Sequence, residues 1–144
     1  MTRTIIVGVD DSEAAALAAR KAAELATALG AELRVLTAFG KFEAETISTG
    51  GEEFFITTAD KAEATGQRTV TELHTDFPDV TIKLHASEGK PGEALVKAAD
   101  QLDADLIVVG NKRVQGIARV LGSIARDVAA HASCDVYVAH THSK

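Results

Sequence analysis

Thr4-Ile5-Ile6-Val7-Gly8-Val9 is an almost unbroken apolar run rich in β-branched residues. A strand with one wet face alternates apolar and polar residues, so a run without alternation predicts a strand covered on both faces and therefore central. Asp105-Leu106-Ile107-Val108-Val109-Gly110 repeats the pattern a hundred residues later. Strands of this kind belong to parallel sheets sandwiched between helices, and the intervening chain has to supply those helices.

Outward from the first run, Asp11 and Ser12 offer N-cap side chains, and Leu17, Ala18, Ala22, Leu25 and Leu29 recur at helical spacing before Gly30 supplies a stop. Leu33, Val35 and Leu36 mark a second strand ending near Thr37-Ala38-Phe39. Residues 40–57 carry Gly40, Gly50, Gly51 and several acidic side chains without a period, which reads as a long loop, either mobile or folded over a ligand. Ala59, Ala62, Gly66, Val70, Leu73 and Phe77 trace a second helix closed by Pro78. Val80, Ile82 and Leu84 alternate with polar residues, as a strand toward a sheet edge does. Pro91 opens a third helix with Ala94, Leu95, Ala98 and Leu102 on its buried stripe. A fourth helix is expected over about Ser123 to Ala132, and a last strand over Cys134 to Ala139. Strands separated by helices imply right-handed βαβ crossovers. The fold class is α/β: an open five-stranded, mostly parallel sheet with helices on both faces. In such sheets a ligand sits beyond the strand C-termini, here bordered by Val9-Asp10 and Val109-Gly110.

A chain of 144 residues, 46% hydrophobic, reads as one domain over 1–144 with a substantial core. No window has the roughly 18 apolar residues of a membrane span, and the N-terminus lacks a signal-peptide pattern, so a cytoplasmic protein is expected, with no membrane partner. The single Cys134 forms no internal disulfide, and no Cys/His spacing suggests zinc. A net charge of −6 argues against a nucleic-acid footprint, which needs clustered Lys and Arg.

The chemistry concentrates where the chain leaves the strand ending at Gly110 and, through Lys112, Arg113 and Gly116, reaches Leu121-Gly122-Ser123-Ile124. Gly110 lets a ligand approach the backbone, and Gly122-Ser123 at a helix start present amide N–H groups and a hydroxyl to an anion. Lys112 and Arg113 add positive charge locally. The plainer alternative is that the glycines shape a loop and Ser123 caps a helix. Gly89-Lys90 lacks the earlier glycine of a P-loop and reads as a turn before a helix. Cys134 reads as a buried, inert thiol, and His131 as a helix C-terminal residue. His140 and His142 lack a third metal ligand, so no metal site is expected. Asp10 and Asp11, adjacent on a strand end, point apart and do not form an acid/base pair.

Val-Gly-Val-Asp at residues 7–10 with Asp11-Ser12-Glu13, then Glu88-Gly89-Lys90-Pro91-Gly92-Glu93-Ala94-Leu95, then Ala104 through Asn111, then Leu121-Gly122-Ser123, together resemble the universal stress protein family over nearly the whole chain. The resemblance implies a Rossmann-like fold of the adenine nucleotide alpha hydrolase type, with strand order 3-2-1-4-5. It implies an adenine-nucleotide (ATP or AMP) binding protein of stress response or signalling, with Mg2+ as the candidate accompanying cation. By position, the resemblance implies Val9 and Ala38 near the adenine, Asp10 facing the ribose hydroxyls or a metal-linked water, and Gly110, Gly122, Ser123 and Ile124 along the phosphate path, with Gly8, Val109, Lys112, Arg113 and Ala125 as further nucleotide-binding candidates. Members commonly pair through the last strand, so a homodimer through Val136-Tyr137-Val138 is implied, with a further protein partner unidentified. Arg113 departs from the pattern, standing where a second glycine is usual, and the stretch from it to Gly122 is shorter than the commonest form. Its side chain either fills the phosphate space, leaving a non-nucleotide-binding interaction protein, or donates bidentate hydrogen bonds to phosphate. No general base is evident, so no catalytic residue is assigned and no enzyme activity is expected.

Overall fold

The computed structural model describes residues 2–10, 12–40, 58–111 and 122–141. In chain order these form β1 (Thr4–Gly8), α1 (Glu13–Leu29), β2 (Glu32–Phe39), α2 (Thr58–Asp76), β3 (Ile82–Glu88), α3 (Pro91–Leu102), β4 (Leu106–Gly110), α4 (Ser123–His131) and β5 (Asp135–Ala139). The strands make one sheet in the order β3-β2-β1-β4-β5, with each neighbouring pair parallel. Class and strand order are those expected. Of the expected loop over 40–57, only Gly40 lies among the described residues.

Period-two alternation of the central strands splits the core into two layers. Ile5, Val7, Leu33, Val35 and Val108 pack with Ala19, Ala22 and Ala23 of α1 and Val70 and Leu73 of α2. Ile6, Leu36, Ile107 and Val109 pack on the other face with Leu95 and Ala99 of α3 and Ala125 and Val128 of α4. Both faces of β1 and β4 are therefore covered, which is why neither alternates in sequence.

Helix α1 departs from the expected stripe. Its buried face is Ala18, Ala19, Ala22, Ala23 and Ala26, while Leu17 and Leu29 are 41% and 43% exposed. Alanine methyls let the helix axis sit close to β1 and β4, and the larger leucines are displaced to its margins. Ser12 is the N-cap, its Oγ accepting from Ala15 N at 3.1 Å. Most other boundaries agree to within a residue, but β3, read from Val80, Ile82 and Leu84, runs from Ile82 to Glu88. The regular part of β1 stops at Gly8, although Val9 N still donates to Leu36 O at 2.9 Å. The strands β4 and β5 each begin one position later than read.

Thr37 of β2 is 1% exposed, and its Oγ1 has no hydrogen-bond partner among the described residues. A buried hydroxyl without a partner carries its desolvation cost uncompensated. Thr37→Val keeps the shape and removes that cost; urea denaturation is expected to show a gain of about 1 kcal/mol.

The edge strand β3 is tied to β2 by a polar cluster. Arg34 bonds Glu32 through Nε at 2.8 Å and Nη2 at 2.6 Å, and its Nη1 donates to His85 Nε2 at 2.8 Å. Accepting from a guanidinium requires a neutral imidazole with its proton on Nδ1. Burial, and then the cations Arg34 and Lys83, hold the His85 pKa below its usual value against a smaller opposing pull from Glu32. The unfolded chain thus protonates this side chain near pH 6.5 while the folded one resists. The stability His85 contributes is present above that pH and lost as pH falls below it. His85→Gln should flatten the decline of the urea midpoint between about pH 7 and pH 5.

Candidate functional site

From β1 the sheet grows through β2 to β3 on one side and through β4 to β5 on the other. Crossover connections diverge at such a point and leave a crevice beyond the strand ends. A cleft of about 160 Å³ lies there. Gly8, Val9 and Asp10 reach it from β1, Leu36 and Ala38 from β2, and Val109 and Gly110 from β4. Ser12, Ala14 and Ala15 enter from the start of α1, Pro91 and Leu95 from α3, and Gly122, Ser123, Ile124 and Ala125 from the start of α4.

Apart from Lys112 and Arg113, every residue singled out from the sequence as nucleotide-binding borders this cleft; those two, with Gly116, lie outside the described residues. Sequence reasoning missed Ser12, Ala14, Ala15, Leu36, Pro91 and Leu95. Ser12 and Pro91 carried a signal, since residues that start helices also lie where strand ends meet them. Leu95 carried none: it reads as a core leucine, and it reaches the cleft because Gly8 has no side chain. A Cβ on Gly8 would stand 3.1 Å from Leu95 Cδ1.

Among the described lining residues Asp10 alone has an acidic or basic side chain. Its Oδ1 accepts from Ser12 N at 2.8 Å, which orients the carboxylate and leaves Oδ2 for a ligand hydroxyl. Three helices begin at the cleft, and their positive ends differ in what is left to offer. Ser12 caps α1 internally, and Pro91 removes one donor from α3. Like α3, helix α4 starts without a side-chain cap, at Gly122, but it has no proline in its first turn, so among the described residues its first-turn N–H groups are all without a side-chain cap. That end is the best anion seat. Val9, Leu36, Ala38 and Val109 give a planar heterocycle an apolar wall. An apolar wall beside an anion seat suits a ligand that joins a planar ring to an anionic group.

The remaining sequence candidates lie elsewhere. Gly89 turns at φ 128° ahead of α3. His131 bonds through Nδ1 to Asp127 O at 2.9 Å, inside the last turns of α4. Cys134 is half-buried, and burial, then Asp135, Asp100 and Asp105, push its thiol pKa up, which disfavours the nucleophilic thiolate. Among the described residues no group of three or more His, Cys, Asp or Glu could hold a metal, and no helix is long and apolar enough to cross a membrane.

Fold and cleft together define an open, parallel α/β protein with a ligand crevice at its switch point. The family model described as "Universal stress protein family" matches residues 1–140. A universal stress protein of Mycobacterium tuberculosis strain H37Rv is 30% identical over 147 residues, covering 96% of this chain and 97% of its own. The chain belongs to the universal stress protein family. Among solved structures, a universal stress protein in complex with cAMP superposes with TM-score 0.72 at 29% identity, covering 97% of this chain and 98% of its own. One from Archaeoglobus fulgidus in complex with dAMP has TM-score 0.69 at 26% identity, covering 94% and 96%.

Proposed function

We propose that the protein binds an adenine nucleotide in this cleft and serves as a cytoplasmic stress-response or signalling module, passing the bound state to an as yet unidentified protein partner. The observation that carries the reading is the junction of an apolar strand-end wall with the uncapped start of α4. Relatives of similar length and fold hold cAMP and dAMP, which supports the same ligand class for this chain. Base and ribose then meet Val9, Asp10 and Ala38, and the phosphate meets Gly110 and Gly122 to Ala125, with Lys112 and Arg113 adding charge. Hydrolysis forms no part of the reading, since Asp10, the one carboxylate among the described lining residues, is assigned to the ribose and not to the phosphate.

A homodimer through β5 belongs to the same reading, supported by an edge strand on which Tyr137 and Val138 are 38% and 37% exposed. Sedimentation equilibrium tests it: twice the 15.1 kDa chain mass supports it, and a monomer refutes it.

Calorimetric titration of nucleotide-free protein with ATP, AMP and cAMP, with and without Mg2+, tests the binding claim and names the preferred nucleotide and the need for a cation. A second reading rests on Arg113 standing where the family favours glycine: the protein is then an interaction module with a filled phosphate space. It requires the native chain to be silent and Arg113→Gly to bind.

A further inference from the structure

After β5 the chain continues beside the exit of β4. Asn111 N donates to Ala139 O at 2.9 Å, and Thr141 Oγ1 donates to Asn111 O at 3.2 Å. The N–H of Asn111 is therefore held by the last residue of β5, and its carbonyl by a side chain two residues past that strand. Thr141 is only 7% exposed, unusual for a threonine outside regular structure. Its Cγ2 would stand 3.3 Å from a Cβ on Gly110, with Ala14 O at 3.5 Å from that same Cβ. Gly110 is wedged between Thr141 and the first turn of α1, and it lines the cleft.

From this we infer that Thr141 is a positioning residue: it fixes Asn111 and with it the cleft-lining Gly110, and thereby sets ligand affinity. In its effect on affinity the inference rests on the nucleotide-binding reading. Threonine suits the task because two different contacts are made. The hydroxyl holds the Asn111 carbonyl, and the methyl closes on the bare face of Gly110. Serine keeps the first and valine the second. The fold also makes Thr141 a mechanical link, since the segment that clamps Gly110–Asn111 leaves the strand whose outer edge is free of a neighbour within the sheet.

The test is the pair Thr141→Val and Thr141→Ser, each read by AMP titration and by amide hydrogen exchange at Asn111 in the ligand-free protein. Losing one hydrogen bond predicts about fivefold weaker binding in Thr141→Val and faster exchange at Asn111. Thr141→Ser restores both to within about twofold of wild type. Plain packing predicts the reverse order, serine worse than valine, and that order overturns the inference. So does a valine variant with wild-type affinity and wild-type exchange. If native protein binds no AMP, the nucleotide reading fails, while the exchange at Asn111 still decides the positioning role. Should the valine variant not fold, the inference stands only if Thr141→Ser retains wild-type exchange and Thr141→Ala does not.

Discussion

Gly122→Phe raises the dissociation constant for nucleotide by at least about 100-fold, close to 3 kcal/mol, and leaves the fold intact. Gly122 is the N-cap of α4 and borders the cleft. A benzyl group there takes up ligand space and shields the first-turn amides that make this helix end an anion seat. The backbone does not resist the change, because φ −66° and ψ 164° lie in the extended region open to any L-residue. An apolar N-cap is worse than glycine by only about 1 kcal/mol, or a few degrees in melting temperature at this size. Calorimetry and thermal melts on one preparation separate the two effects. Wild-type affinity in this variant would remove α4 from the site.

Ile107→Ala carries the largest stability effect. Ile107 is 0% exposed at the centre of β4, paired with Ile6 on one side and Val136 on the other. It packs under α3 and α4 with Leu95 and Val128. Two rows of backbone hydrogen bonds hold the strand in place, so the site collapses poorly when the side chain is cut back. The expected loss is about 3 to 4 kcal/mol, from lost transfer free energy plus residual cavity. Against total stabilities of about 5–15 kcal/mol, the melting temperature should fall by roughly 10 °C. Urea denaturation should show a lower midpoint at an unchanged slope. Leu29→Ala, at an exposed site, should stay within about 0.5 kcal/mol of wild type.

The contrast between Leu29 and Ile107 shows where sequence patterning is informative. The runs at Thr4–Val9 and Asp105–Gly110 have one structural meaning, since only a strand covered on both faces tolerates so little polarity. Helix α1 was more ambiguous. Its alanines fill so many positions that several stripes satisfy a 3.6-residue period, and the face that docks is chosen by how closely the helix can approach the sheet. The leucines looked like the stripe and proved to be its margin. Strand order was expected through the family resemblance, because local pattern does not say on which side of β1 a crossover returns.

The site divides in the same way. Residues near a glycine or a helix start, such as Gly110, Gly122 and Ser123, announced themselves. Leu36 and Leu95 did not, since a side chain that is half core and half cleft wall has the pattern of a core residue. Thr141 is the sharpest case: a threonine past the last strand has no periodic signature, and its importance lies in what it touches, Gly110 and Asn111, some thirty residues earlier in the chain.

Backbone amide shifts recorded by NMR while AMP is added to nucleotide-free protein test the central claim most directly. Binding in the cleft predicts saturable shifts at Val9, Asp10, Gly110, Asn111, Ser123 and Ile124, with Lys83 and His85 on the far edge strand unmoved. No shifts up to about millimolar AMP, the weak end of the affinity scale, or shifts confined to β3, would contradict it.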